Sequence, residues 1–237
     1  MSDAPRPSLD PRARAALERV LALLEEDPRS LTSVRDAERA REVHVADSLA
    51  GLEVGELTSA ERIADLGAGA GFPGLPLAAA LPQARVDLIE ATRRKADFIA
   101  AAARAAGLGN ARAIPARSEE WSREPPPAGG REAYDAVVAR AVGPLATLAE
   151  LASPLLREGG VLVAWKGRRD RGEEDDLAAH APGLAMAPDR VIEVRPYPES
   201  RNRHLHVVRK VGPTPRDLPR RPGAAGKRHR SRSRRDG

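Results

Sequence analysis

From Arg62 onward the chain alternates short apolar runs with longer segments of helical spacing. The runs Arg62–Leu66, Arg85–Glu90, Ala111–Pro115, Tyr134–Ala139 and Gly160–Ala164 are rich in Val, Ile, Leu and Ala, as strands covered on both faces should be. Between them lie Pro73–Leu81, Arg93–Ala106 and Pro144–Leu156, which read as helices. Strand alternating with helix predicts a parallel sheet wrapped by helices. Near the end, Arg190–Arg195 and His204–Lys210 also read as strands. Their Pro-containing connection is too short for a crossover helix, so they are predicted to pair as an antiparallel hairpin at a sheet edge. Ahead of the sheet, Leu17, Val20, Leu21 and Leu24 repeat at helical spacing within Pro11–Glu26, behind an Asp10–Pro11 start. A second helix is predicted over Asp36–Leu52, where Ala40, Val43, Asp47 and Ala50 recur three or four apart.

This pattern divides the chain into a helical extension (1–57), an α/β domain (58–211) and a tail (212–237). Within the domain, Glu124–Gly130 reads as a surface loop, and Gly167–Asp176 is charged and irregular at its start. The tail carries Pro213, Pro215, Pro219 and Pro222, then a nearly all-basic run, Lys227–Arg235. It holds nine Lys/Arg against two Asp, a net +7, which leaves residues 1–211 at −2 of the chain's +5. Such composition predicts a disordered or loosely draped segment suited to an acidic partner. Deleting it is expected to leave the rest of the molecule's ligand affinity unchanged.

Composition removes several chemistries. The 237 residues include no cysteine, which excludes disulfides, Cys-ligated zinc and a thiol nucleophile. No run approaches the roughly 20 apolar residues of a membrane span, and Met1–Arg14 lacks the apolar core of a secretory signal. A cytoplasmic location is therefore expected. Aromatics at 3% argue against a surface that holds single strands mainly by stacking. Of 39 basic residues only Lys95, Lys166, Lys210 and Lys227 are lysine.

The most informative stretch is Asp65-Leu66-Gly67-Ala68-Gly69-Ala70-Gly71-Phe72-Pro73-Gly74, between the first strand and a helix. Three readings compete: a dinucleotide loop, an S-adenosylmethionine loop, and a plain glycine turn. A pyrophosphate needs free N–H groups at the helix start, and Pro73 removes one. Asp65, just ahead of the glycines, suits a cationic or amine-bearing ligand better. Glu90 ends the second strand, 23 residues after Gly67, where a carboxylate can accept both ribose hydroxyls. Ser118 and Glu119, after the third strand, are placed to grip an adenine edge.

The glycine loop with Phe72-Pro73-Gly74 resembles that of the bacterial small-subunit ribosomal RNA guanine-N7 methyltransferases, also called glucose-inhibited division protein B. So do Leu31-Thr32-Ser33-Val34-Arg35-Asp36, His44-Val45-Ala46-Asp47-Ser48-Leu49, Glu90-Ala91-Thr92-Arg93-Arg94-Lys95, Ala139-Arg140-Ala141-Val142, Trp165-Lys166-Gly167 and Arg203-His204-Leu205. Thr214-Pro215 and Pro219-Arg220-Arg221-Pro222-Gly223 look like that family's ending. Ser30 and Val43 depart from it, standing where members tend to have Asn and Arg. The resemblance implies a Rossmann-like class I methyltransferase fold, S-adenosylmethionine as methyl donor, and N7 of one guanine in 16S ribosomal RNA, naked or in the small-subunit particle, as acceptor. It implies that Gly67 and Phe72 line the cofactor, that Glu90, Ala91 and Thr92 flank its ribose and adenine, and that Ser118 and Glu119 hold its adenine end. Arg140, counted with this cofactor-binding set, is implied to face the methyl-transfer cleft.

Guanine N7 has a free lone pair, so no general base is expected, only in-line placement of the reactants, and no metal. Carbon-5 pyrimidine methylation needs a cysteine nucleophile, and the segment after Arg140 lacks the Pro-Pro-aromatic pattern usual for exocyclic amines. His44, Lys166 and Arg203 are the candidates for holding the RNA. Two alternatives remain: a methyltransferase of the same fold with another RNA or small-molecule acceptor, and a noncatalytic RNA-binding protein.

Overall fold

The apolar runs assemble into one seven-stranded sheet in the computed structural model of the chain, which describes residues 9–27, 39 and 41–226. In chain order the strands are β1 (Arg62–Leu66), β2 (Arg85–Ile89), β3 (Ala111–Ile114), β4 (Tyr134–Arg140), β5 (Leu156–Lys166), β6 (Met186–Val194) and β7 (Arg203–Lys210). Their order across the sheet is β3-β2-β1-β4-β5-β7-β6. The first five run parallel, and β7 is antiparallel to both β5 and β6. The expected terminal hairpin is therefore present, with β7 inserted against β5 and β6 alone at the edge. The helices are α1 (Pro11–Glu26), α2 (Asp47–Leu49), α3 (Gly55–Thr58), α4 (Gly74–Ala80), α5 (Arg93–Ala105), α6 (Ser118–Trp121), α7 (Leu145–Ala152) and α8 (Arg171–His180).

Side chains alternate between the two faces of each strand, and both faces are covered. Ile63, Leu88, Val138, Val163 and Val207 pack under α1, α4 and α5; Ala64, Ile89, Val137, Leu162 and Val208 pack under α7 and α8. Helix α1 starts where expected, with Asp10 Oδ1 accepting the N–H groups of Arg12 and Ala13 at 2.7 and 2.8 Å, an N-cap worth about 1 kcal/mol. Its Leu17, Val20 and Leu24 enter the first core, so the helical extension and the sheet share one interior. Strand β5 begins four residues earlier than its apolar run: Leu156 pairs with Tyr134 of β4 ahead of a register irregularity, within which Arg157 bonds Asp135 at 2.5 Å.

Two expectations change. The second helix is not uniform over its described part: Arg41–Ala46 is a π-helix, followed by α2 and a 3₁₀ turn, Ala50–Glu53. Side chains from the sheet take its carbonyls. Arg140 donates to Val43 O at 3.0 Å and Trp165 Nε1 to Asp47 O at 2.7 Å. The tail reading also changes for residues 212–226, which lie against the body with Leu218 and Ala225 buried. Carboxylates of the body supply the docking that composition does not reveal. The basic run Lys227–Arg235 and the segment Leu31–Asp36 lie outside the described residues.

Candidate functional site

Strand order reverses between β1 and β4, and in open α/β sheets ligands bind at the carboxyl ends of strands beside such a reversal. The glycine loop leaves β1 there. Gly67, Gly69 and Gly71 have φ of +68°, +60° and +95°, a region that strains any residue with a Cβ. Asp65 points into this loop rather than out of it. It is fully buried, and its Oδ2 accepts the Gly74 N–H at 2.7 Å. Burial pushes its carboxyl up to about 7, against the Gly74 bond and Arg140, which lower it. A Cβ on Gly74 would lie 2.7 Å from that oxygen. Asp65 therefore anchors the start of α4 through Oδ2, while its buried Oδ1 has no hydrogen-bond partner. The N-terminus of α4 is filled by the chain's own carboxylate, which leaves no place there for a pyrophosphate.

Glu90, at the end of β2, is buried beneath the loop. Its two oxygens accept the Gly69 and Thr92 N–H groups at 3.0 and 2.7 Å. A carboxylate has about four acceptor positions, so two remain for hydroxyl donors. Ala91 and Thr92 are exposed beside it. The Glu90 N–H bonds Ile114 O at 3.0 Å, which brings the end of β3 alongside. Ser118 and Glu119 follow from α6, both nearly buried, with the Ser118 hydroxyl donating to Glu119 Oε2 at 3.2 Å.

On the other side of the reversal, the ends of β4, β5 and β7 border a cleft of about 220 Å³, lined among others by Asp47, Arg140, Trp165, Lys166, Arg203 and His204. The Arg140 guanidinium lies 5.9 Å over the Phe72 ring, so it stands between the glycine loop and this cleft. It donates to Asp47 Oδ2 and Val43 O, each at 3.0 Å. Lys166 donates to Glu173 Oε1 at 2.6 Å and to Gly143 O at 3.2 Å, and the same glutamate oxygen accepts the Leu145 N–H at 3.0 Å. Arg203 donates to the Tyr197 hydroxyl at 3.2 Å, while its Nε, 3.8 Å from Asp47 Oδ1, has no hydrogen-bond partner. The expected residues thus fall into two groups that meet at Arg140. Sequence reasoning missed Asp47 and Glu173, the carboxylates that hold the two cations, because a paired acid on a helix carries no local signal. It also missed Val142, which follows Ala141 (φ +59°), is 38% exposed and lies over Gly67.

His44 departs most from expectation. Its ring stacks on Phe72 with centroids 4.7 Å apart, and burial, then the Arg140 charge, lower its pKa from 6.5 to about 4. A neutral packed ring is no phosphate-binding cation, and its place is that of a bridge between the helical passage and the glycine loop. A histidine whose folded pKa is depressed contributes stability that is fully present above about 6.5 and is lost as pH falls through about 4. In an NMR titration His44 is expected to stay neutral well below its free value; a midpoint near about 6.5 would place the ring in solvent.

The glycine loop, the Glu90 carboxylate with two acceptor positions left and the filled helix start together fit a nucleoside ligand without a pyrophosphate. Among the described residues no group of His, Asp and Glu forms a metal site, and no helix is long and apolar enough to cross a membrane. Comparison with known proteins agrees with the fold. A SAM-dependent methyltransferase structure from Aquifex aeolicus has a TM-score of 0.55 at 16% identity, covering 78% of this chain and 99% of that one. The cofactor-bound Rv0187 structure gives 0.54 at 20% identity, over 89% and 94%. Among curated relatives, Ribosomal RNA small subunit methyltransferase G of Deinococcus radiodurans is 41% identical over 210 residues, 86% of this chain and 81% of the relative. That of Rubrobacter xylanophilus is 40% identical over 206 residues, 84% and 76%. The family model for rRNA small subunit methyltransferase G matches residues 15–195, a span that takes in the helical passage, the glycine loop and the cations of the cleft up to β6. With the glycine loop, Arg140 and Lys166 inside that match, the chain belongs to the rRNA small subunit methyltransferase G family.

Proposed function

We propose that this protein transfers a methyl group from S-adenosylmethionine to N7 of one guanine in 16S ribosomal RNA, in the cytoplasm. The observation that carries the reading is the pair of carboxylate-held cations, Arg140 and Lys166, in a cleft that adjoins the glycine loop. S-adenosylmethionine supplies, when bound, an electrophilic methyl group on a sulfonium. Gly67 and Phe72 line it, Glu90 accepts from its ribose with Ala91 and Thr92 alongside, and Ser118 and Glu119 face the adenine. Guanine N7 carries no proton, so no side chain has to remove one. The chain's task is to hold the base in line with the methyl group and exclude water. Arg or Lys donors suit guanine O6, and Arg140, Lys166 and Arg203 are the donors available around the cleft. Methylation leaves the base cationic. Asp47 and Glu173, by neutralising Arg140 and Lys166, keep the cleft from repelling the product charge.

The test is to map N7-methylguanine in 16S RNA from cells with and without the gene, and in small-subunit particles incubated with the purified protein and S-adenosylmethionine. One position is expected to gain the modification. An unchanged RNA, or a modified atom other than N7, would overturn the assignment.

A further inference from the structure

We propose that residues 213–226 form a clasp on the adenine side of the cofactor site, with Arg220 and Gly223 as positioning residues for Ser118 and Glu119; this rests on the reading that those two face adenine. Strand β7 ends at the edge of the sheet where β4 begins, and the chain then climbs to the opposite edge. The attachments follow its path. The Thr214 N–H donates to Glu132 Oε1 at 2.8 Å, just before β4, and the Thr214 hydroxyl accepts from buried Lys210 at 2.9 Å. Arg131 donates to Leu218 O at 3.1 Å, and the Leu218 side chain joins the core that Ala116 and Trp121 border. Arg220 forks onto Glu150 of α7 with two bonds of 2.5 Å, and Glu150 is only 6% exposed. Finally the Gly223 N–H donates to Glu119 Oε1 at 2.8 Å.

Glu119 therefore has one oxygen held by the clasp and the other by Ser118. It sits in α6, four residues long, a helix too short to hold its own shape. The orientation of the adenine end thus depends on a segment about 100 residues away in the chain. A bidentate Arg–carboxylate pair fixes direction as well as distance, so the Arg220–Glu150 fork determines where Gly223 meets Glu119. This reverses the composition-based expectation that the tail is independent of ligand affinity. Only the part beyond Gly226, with six Lys/Arg and one Asp, is left as a plain electrostatic arm.

The experiment compares S-adenosylmethionine binding by calorimetry in the full chain, a chain ending at Gly226, Arg220→Ala and Arg220→Lys, each checked for folding by circular dichroism. The chain ending at Gly226 is expected to bind as the full chain does. It should lose RNA affinity chiefly at low salt, with a flatter salt dependence. Arg220→Ala is expected to bind about tenfold more weakly, the effect of losing a hydrogen bond to a charged group, and Arg220→Lys to recover part of that. On the intact chain, S-adenosylmethionine should slow amide hydrogen exchange at residues 223–225 as well as 118–119. Binding by folded Arg220→Ala within about twofold of the full chain, or exchange at 223–225 indifferent to the ligand, overturns the clasp alone. A full chain that does not bind S-adenosylmethionine overturns the cofactor reading and the clasp with it.

Discussion

Gly67→Val abolishes S-adenosylmethionine binding in a chain that still folds. Gly67 has φ +68°, and a Cβ in the left-handed region costs roughly 1–2 kcal/mol, more when branched. That Cβ would also lie 2.9 Å from Val142 Cγ2. Val142 is 38% exposed and has room to turn away, so the clash is relieved at the surface. The total is a few kcal/mol, within the typical stability of a domain. The ligand loses more, because the glycine lets backbone and ligand approach closely and the new methyl groups occupy that space. Gly107 provides the control. Its φ is +69°, and a Cβ there would meet nothing within 4 Å. Gly107→Val should lose similar stability and keep its cofactor affinity. Calorimetry and thermal melting on both variants separate strain from obstruction, and equal affinity in the two would remove Gly67 from the site.

Arg140→Ala stops methyl transfer while leaving cofactor affinity much less changed. The substitution frees Val43 O and leaves Asp47, 5% exposed, with Arg203 as its nearest cation at 3.8 Å. Breaking a buried ion pair on one side costs about 3–5 kcal/mol, mostly the price of the stranded charge. The π-helix that Arg140 ties to β4 then loosens, and a displacement of about 1 Å near the reacting atoms costs on the order of 100-fold in rate. The double variant Arg140→Ala/Asp47→Ala removes both charges. It should regain much of the stability, since neither partner is left unpaired, and none of the turnover. Melting temperatures and methylation rates on small-subunit particles test this. Should the double variant recover activity with stability, Arg140 would be a structural residue only.

The strands were legible because burial on both faces of a parallel sheet leaves continuous apolar runs in the sequence, as in Ala136–Ala139 and Val161–Ala164. The glycine loop was legible because positive φ selects glycine at Gly67, Gly69 and Gly71. Helix α8, within a stretch that began irregularly, was not. Its Asp170 cap and acidic first turn bury only Leu177, so it presents almost no apolar period. The π-helix had no signal either, since its Val43 carbonyl bonds Arg140, which lies in β4.

The sequence by itself determined the sheet, the loop and the types of residue beside that loop, because backbone conformation and local burial are written in short stretches of chain. Tertiary structure decided what those residues do with one another. Asp65 became an anchor for α4. Arg140 found Asp47 across 93 residues, and Gly223 found Glu119 across 104. A Pro-rich basic segment reads as disorder when only its own composition is weighed. It folds onto the body because Glu132, Glu150 and Glu119, each distant in sequence, stand at the spacing its N–H groups and guanidinium require, and only the assembled sheet sets that spacing.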